Sequence, residues 1–256
     1  MGINPQSIEE LENKYLLEMY DFLKKNTAFI IKSLNSKNEI KKDWIKFFKL
    51  TARENYNGAS ELDLGAERVI HNLFGRFPGF YVNSTPIGSD LMFETKDAYI
   101  HIEVKTATDK NTADYKGKIQ IAQNQTSYSV DKTFNGSNYP FKASLPPVYS
   151  NGKICLTYVI QIIHNNEEDK PKIISLISIP NGRLKDTYGN CVNAGKHTKK
   201  LNKLNSRGDI RFLYKEAPYF KNLNQKYSRI KVIYPEKPTN TLLKFYLGLS
   251  VSSNIL

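Results

Sequence analysis

The stretch that decides the fold runs from Ser89 to Thr106 and reads SDLMFETKDAYIHIEVKT. Its two halves, 89–95 and 98–106, each alternate between apolar and polar residues with a period of two. This period is typical of a β-strand that has one face in a core and the other in solvent or a cleft. The polar pair between the halves predicts a turn, so the segment is expected to form a β-hairpin.

The antiparallel register centred on that turn sets Leu91 opposite Ile102 and keeps the apolar residues on one side. The same register sets Asp90 opposite Glu103, with Lys105 on the same face. Opposed side chains stand only ~5 Å apart at Cβ, and like charges so placed repel. Two carboxylates and a lysine on one face therefore favour a divalent cation. Oxygen ligands suit Mg²⁺, which can activate water and stabilise charge on a phosphoryl group.

Together, Asp90, Glu103 and Lys105 resemble the signature of the PD-(D/E)XK nuclease superfamily: an acid, a gap, then an acid, any residue and a lysine. Only Glu103 ends a long alternating strand that has an upstream aspartate placed to meet it. Ser89 occupies the nominal proline position, a small departure because that proline is often replaced. The last tripeptide alone is weak, since other acids also stand two residues before a lysine: Glu12, Glu39, Glu94, Asp114 and Glu168.

The resemblance implies an α/β fold of the restriction-endonuclease type, with a mixed central β-sheet flanked by helices, a helical N-terminal addition and a basic C-terminal one. It also implies Mg²⁺-dependent hydrolysis of phosphodiester bonds in double-stranded DNA. A compact basic chain with a lone nuclease core, and with no helicase motif or nucleotide cofactor, is most similar to a type II restriction endonuclease. Such enzymes act as homodimers, because two-fold symmetry lets each subunit cut one strand.

The resemblance further implies a role for each residue of the motif. Asp90, Glu103 and the carbonyl of Val104 would hold one or two Mg²⁺ ions. Lys105 would orient or deprotonate the attacking water and offset the charge that develops on the phosphate. Many members of the superfamily also carry a glutamate on the helix before the first motif strand.

Helical spacing of apolar residues predicts where that helix lies. A helix is expected from Ser60 to about Phe74, ended by a glycine and a proline. Glu67 matches the position of the assisting glutamate by order and by helix placement, and Glu61 is a rival. Two earlier helices are predicted, one running from a Ser7 capping box to about Lys32 and one over 40–51.

The chain has 256 residues, 40% of them hydrophobic, and a formal net charge of +12. This fits one nuclease domain with a helical part at 1–58, a catalytic core at 59–180 and a basic, DNA-contacting part at 181–256. The charge favours a polyanionic partner. No stretch approaches the ~18 continuous apolar residues of a membrane span, and the N-terminus has no signal-like pattern. A protein of the prokaryotic cytoplasm, without a membrane partner, is expected.

After the hairpin, apolar runs at 153–164 and 172–179 are typical of central strands that are covered on both faces. Shorter strands are predicted at 210–214 and 229–234, and a helix or turn at 238–249.

Two sets of residues are candidates for contacting DNA. Segment 118–128 follows the motif as a strand that enters a loop or short helix, and amides can bind adenine edges, so its predicted base readers are Gln123, Asn124 and Gln125. Segment 181–211 holds eight basic residues against two acids, and this excess of six is half of the net charge. Its predicted DNA contacts are Arg183, Lys196, Lys199, Lys200, Lys203 and Arg207.

Several alternatives stay open at the level of sequence. The acids could lie on the solvated face of an ordinary hairpin. The same chemistry also suits a DNA repair, recombination or junction nuclease of the superfamily. A non-catalytic DNA-binding protein would need the charge but neither the acids nor a metal. An RNA-binding module is disfavoured, because the chain lacks the aromatic-rich strand pattern of common RNA platforms.

Overall fold

The computed structural model begins with a helix that covers the central sheet. Helix α1 spans Pro5–Lys25 and is capped by Asn4, whose side chain accepts a hydrogen bond from the Gln6 N–H at 3.0 Å. The predicted cap at Ser7 is therefore wrong, because the helix has begun before that residue. The described residues are 4–36, 61–83, 88–115, 118–134, 137–165, 170–189, 192–194, 209–213, 228–236 and 241–247.

The first helix is also shorter than predicted. At Asn26 the backbone leaves helical geometry, and the side-chain amide donates to the Phe22 carbonyl at 2.8 Å. Asparagine competes for backbone groups in this way, so it ends α1 before a second helical stretch at 27–36. The helix predicted at 40–51 lies outside the described residues. Helix α2 spans Glu61–Phe74, as predicted, and packs on the strand that carries Glu103.

Eleven strands are present in the described part of the chain. They are β1 (Tyr81–Val82), β2 (Leu91–Glu94), β3 (Ala98–Thr108), β4 (Lys118–Ala122), β5 (Val130–Phe134), β6 (Ser137–Phe141), β7 (Ile154–His164), β8 (Pro171–Ile179), β9 (Val192–Ala194), β10 (Asp209–Leu213) and β11 (Ile230–Pro235). The central sheet has six strands in the order β1-β2-β3-β7-β8-β11. The pair β3 and β7 is parallel and the other neighbours are antiparallel, so the sheet is mixed. This α/β architecture confirms the predicted fold class.

The predicted hairpin is confirmed down to its register. Strands β2 and β3 pair antiparallel, with Leu91 opposite Ile102 and Phe93 opposite Ile100. Those four side chains are buried, and Phe74 of α2 packs against Phe93 with ring centroids 5.9 Å apart. The register is therefore set by the apolar face that the helices cover, since a shift of one residue would expose it.

The long central strands are covered on both faces. Every residue of β7 is buried, and all but one residue of β8. Helix α1 packs on one face. On the other lies the short C-terminal helix Thr241–Tyr246, where the Tyr246 hydroxyl donates to the Gln161 side chain of β7 at 2.9 Å. These near-continuous apolar runs are those the sequence predicts for central strands.

Smaller elements complete the fold. Strands β4, β10 and β9 form a second sheet, and β5 pairs with β6. Short helices lie at Thr112–Tyr115 and Lys185–Tyr188. The strands predicted at 210–214 and 229–234 correspond to β10 and β11. Across the residues that are described, no helix combines the length and apolar character needed to span a membrane.

A buried ion cluster holds α1 against the far side of the sheet. Arg229, which directly precedes β11, is 1% exposed and donates from Nη2 to Glu12 Oε2 at 2.6 Å. The same nitrogen lies 3.1 Å from the Tyr188 hydroxyl, which donates to Glu9. Glu12 Oε1 accepts the Asn181 N–H at 2.6 Å. Charged groups that are satisfied in this way tie together elements distant in sequence.

Candidate active site

Asp90 lies directly before β2, where β3 runs on past the end of its partner. Strand β2 begins at Leu91, opposite Ile102. Asp90 precedes Leu91 and is no longer part of the strand. Its side-chain Oδ2 accepts the Val104 N–H at 2.7 Å, where a backbone carbonyl would accept it if β2 continued. Because the N–H and C=O of a strand residue point to the same edge, the Val104 carbonyl also lies on the Asp90 side of β3.

Glu103 projects from β3 into the interior, with 3% of its surface exposed. Its Oε1 accepts hydrogen bonds from the Lys105 ammonium and from the Gln125 side-chain amide. Its Oε2 is buried and, among the described residues, has no hydrogen-bond partner. Leaving a buried carboxylate oxygen unsatisfied is costly, so this atom indicates a site that a bound cation could complete.

Burial disfavours the charged form of both carboxyl groups. Burial raises the pKa of Glu103 to about 7, against the lowering effect of Lys105 and with a further rise from Asp90. Burial also raises the pKa of Asp90, against the Val104 N–H and Lys105, which lower it. One ammonium thus faces two acids, and a positive ion would favour the ionised form of both.

The oxygen set fits a hard divalent cation. Asp90, Glu103 and the Val104 carbonyl offer oxygen ligands only, which Mg²⁺ prefers over nitrogen or sulfur. The unsatisfied Glu103 Oε2 is the observation that supports this fit. Lys105 contacts Glu103 through the other oxygen, so its ammonium need not leave for a cation to bind.

The assisting role of Glu67 stays a prediction. This residue is half-buried on α2. Among the described residues, no three His, Cys, Asp or Glu side chains form a group that could hold a metal ion, so Glu67 does not extend the Asp90 and Glu103 pair into such a group.

Around Glu103, the strand face that carries the acids is buried. His101, two residues before Glu103, is fully buried, and Tyr149 stacks on its ring with the planes 9° apart. The alternative of an ordinary solvated hairpin face is therefore wrong around Glu103. The polar residues predict a face in solvent or a cleft, and at His101 the loop that contains Tyr149 covers this face.

His101 also supports the loop that leads to Asp90. Its Nδ1 lies 3.1 Å from Ser89 Oγ and its Nε2 lies 2.8 Å from the Tyr149 hydroxyl. Burial lowers the pKa of His101 to about 4, so the ring is neutral at neutral pH. Because Ser89 Oγ donates to the Leu91 carbonyl at 3.1 Å, the ring proton is assigned to Nδ1 and the tyrosine donates to Nε2. Sequence reasoning missed this support, since neither His101 nor Tyr149 belongs to the motif.

The predicted base readers form a short 3₁₀ turn, Gln123–Gln125, directly after β4. Gln125 reaches the acidic pair, whereas Asn124 is exposed and Gln123 is half-buried. Base reading by these side chains stays a prediction. The sequence carried no signal for the Gln125 contact, because the two partners are 22 residues apart and joined through a turn.

Of the predicted basic contacts, the structure describes one. Arg183 is exposed on the 3₁₀ turn Gly182–Leu184, which follows β8. The other five fall outside the described residues, so their contact with DNA stays a prediction: Lys196, Lys199, Lys200, Lys203 and Arg207.

Two family models match the sequence. Residues 5–169 match the N-terminal domain of the type II restriction enzyme MwoI, and residues 172–235 match the central domain of the same enzyme. The division falls between β7 and β8, which are neighbours in one sheet. Among curated proteins, none matches the sequence.

Two solved structures share the fold. One is the restriction endonuclease BglI bound to its DNA recognition sequence, with a TM-score of 0.68 and 18% identity over 91% of this chain and 93% of that one. The other is the tetrameric restriction endonuclease SfiI bound to cognate DNA, with a TM-score of 0.63 and 13% identity over 90% of this chain and 85% of that one. At such identities the likeness is one of fold.

Proposed function

Because the chain belongs to the family of the type II restriction enzyme MwoI, it is a site-specific deoxyribonuclease, and we propose that Asp90, Glu103 and Lys105 form its active site with Mg²⁺. The observation that carries this proposal is the unsatisfied Oε2 of Glu103, buried beside a second carboxylate, Asp90, whose pKa burial also raises. Perturbed acids at such a position are typical of catalytic sites.

The residues of the proposed site have different tasks. Asp90 and Glu103 would hold the ion, with the Val104 carbonyl as a third oxygen on the same edge of β3. When bound, the ion would polarise the scissile phosphoryl group and activate a water molecule. Lys105 would place its ammonium against the charge that develops on the phosphate, and could orient or deprotonate the attacking water.

We also propose that duplex DNA is bound by a homodimer, in which each subunit cuts one strand. The charge of +12 and the basic excess of segment 181–211 support DNA as the partner. Replacing Lys199, Lys200 and Lys203 by alanine should weaken DNA binding and flatten its salt dependence. If the salt dependence of DNA binding is unchanged in this variant, the three lysines do not lie in the interface. If light scattering shows a monomer both with and without DNA, the homodimer is contradicted.

The experiment that tests the active site is cleavage of long duplex DNA, with Mg²⁺ and with excess chelator, by the wild type and by Asp90→Asn. Discrete fragments that need Mg²⁺ and are absent with Asp90→Asn are expected. The matched control is Glu94→Gln, which removes a carboxylate from the same strand face. Glu94 pairs with Lys153 at 2.6 Å and its side chain is 41% exposed, so this variant should cut normally.

Other outcomes would overturn parts of the proposal. Smeared fragments would indicate cleavage without a fixed recognition sequence. Discrete cutting that survives Asp90→Asn would remove this acid from the site. DNA that stays intact but is retarded in every lane would identify a binding protein without nuclease activity.

A further inference from the structure

We propose that Gln125 is a positioning residue that holds Glu103 in the orientation needed to bind the metal ion. The inference rests on the proposed function, because it assigns Gln125 a task toward the same cation. It differs from the sequence-based prediction, in which Gln125 reads bases. Three features of the structure carry it: the fixed amide, the unequal oxygens of Glu103 and the packing of the turn.

The Gln125 amide is bound at both ends within the protein. Its nitrogen Nε2 donates to Glu103 Oε1, and its oxygen Oε1 accepts the Ala122 N–H at 2.8 Å. Only the nitrogen can donate to a carboxylate, and only the oxygen can accept from an N–H. The two contacts therefore fix which way the amide points. A bidentate contact with an adenine edge would compete with both of them.

This contact makes the two oxygens of Glu103 unequal. Oε1 accepts from both Gln125 and Lys105, while Oε2 has no hydrogen-bond partner among the described residues. The terminal torsion of a glutamate is broad, so one flexible lysine does little to hold the plane of the carboxylate. The second donor, placed on a backbone-anchored amide, leaves Oε2 as the oxygen offered to a cation. Groups that orient a metal ligand in this way contribute about 10–100-fold to metal affinity.

The turn that carries Gln125 is fixed against the loop that carries Asp90. Gly88 has a φ of +82°, and a Cβ added there would lie 1.8 Å from the Asn124 carbonyl oxygen. The two backbones are thus in direct contact, two residues before Asp90 and one before Gln125. On its other side the turn is held by the Ser144 N–H, which donates to the Gln123 carbonyl at 2.8 Å. A rigid support of this kind can keep Asp90 and Glu103 in fixed positions relative to each other.

The test compares Gln125→Glu with Asn124→Asp, using Mg²⁺ alone as the probe. Gln125→Glu keeps an oxygen for the Ala122 N–H, but it loses the donor to Glu103. Asn124→Asp adds the same charge one residue away, at an exposed position. The readout is the Mg²⁺ concentration needed for a fixed rise in unfolding temperature, measured without DNA. Gln125→Glu should need about 10–100-fold more Mg²⁺ than wild type, and Asn124→Asp about the same amount.

A second variant separates lost positioning from added charge. Gln125→Leu removes the donor without adding a carboxylate, and it should also raise the Mg²⁺ requirement. The recognition sequence read from the fragment ends should stay the same.

The outcomes distinguish the two proposals. A Mg²⁺ requirement equal to that of wild type in both Gln125 variants would overturn the positioning role. An altered recognition sequence at an unchanged Mg²⁺ requirement would instead make Gln125 a base reader. If wild type shows no Mg²⁺-dependent rise in unfolding temperature and no Mg²⁺-dependent cutting, the proposed active site itself fails.

Discussion

Two buried glutamates of this chain, Glu12 on α1 and Glu103 on β3, each stand two residues before a lysine. Glu12 uses both oxygens, since Oε1 accepts the Asn181 N–H at 2.6 Å and Oε2 accepts Arg229 at 2.6 Å. Glu103 uses only Oε1, and its Oε2 is left without a hydrogen bond in the described part of the chain. A buried acid that is fully satisfied stabilises the fold, whereas one with an oxygen unsatisfied can bind a ligand.

Secondary structure decides what the shared tripeptide means. In a strand, residues two apart lie on one face, so Lys105 contacts Glu103 directly. In a helix, residues two apart do not face each other, and Lys14 reaches across to Asp97 at 3.7 Å. An acid and a lysine at this spacing are therefore brought into contact on β3, whereas the same spacing on α1 does not bring the two side chains together.

The largest expected effect comes from replacing the lysine that stands two residues after each glutamate. Lys105→Ala should lower the rate of DNA cleavage about 10²–10³-fold, because it removes a preorganised positive group from the reacting phosphate. Lys14→Ala should cleave within about threefold of wild type, since exposed ion pairs contribute little. Single-turnover cleavage rates at saturating Mg²⁺ provide the measurement. Equal losses in the two variants would show that the difference between strand and helix has no functional meaning.

The next largest effect concerns Glu12, the buried glutamate whose two oxygens both accept hydrogen bonds. Arg229→Met should lower the free energy of unfolding by about 3–5 kcal/mol, because it leaves the buried Glu12 charge without its partner. Urea unfolding measures this loss. The double variant with Glu12→Gln should recover part of it, because the buried Glu12 charge is then gone and only Glu9 is left without Arg229. A loss below about 1 kcal/mol in Arg229→Met would mean that the cluster does little for the fold.

A smaller effect comes from His101, beneath the Asp90 loop. Its pKa is about 4 in the folded protein and near 6.5 in the unfolded chain. The unfolded state therefore binds more protons between these values, and the stability from the neutral ring is lost as pH falls from about 6.5 to about 4. Over this pH range, the free energy of unfolding of His101→Gln should fall by about 1–3 kcal/mol less than that of wild type. His71→Gln, at an exposed position on α2, is the control for the substitution itself.

Local patterns of the sequence were enough to predict which residues meet at the candidate site. The period of two fixed the register of β2 and β3, which places Asp90 at the edge of β3 beside Val104 and Glu103. Contacts between residues far apart in sequence could not be predicted. Gln125 reaches Glu103 across 22 residues, and Arg229 reaches Glu12 across 217. Both contacts depend on how separate elements pack, which leaves no periodic trace in the sequence.

The end of α1 was missed for a local reason instead. The apolar spacing continues past Asn26, so hydrophobic periodicity extends the helix toward Lys32. The asparagine side chain competes for the Phe22 carbonyl and interrupts it. Periodicity reports which face is buried, and it does not report a break that leaves the same face buried.

The most direct test of the difference between the two glutamates is the unfolding free energy of Glu103→Gln and of Glu12→Gln, measured at about pH 8 with and without Mg²⁺. The pKa of Glu103 is about 7 when folded and near 4.5 when unfolded, so the stability that its protonated form gives is lost as pH rises through about 7. Without metal, Glu103→Gln should therefore be more stable than wild type, by about 2 kcal/mol. Glu12→Gln should be less stable than wild type, and Mg²⁺ should stabilise wild type but not Glu103→Gln. A metal-free Glu103→Gln that is destabilised as much as Glu12→Gln would contradict the assignment of Glu103 as a metal ligand.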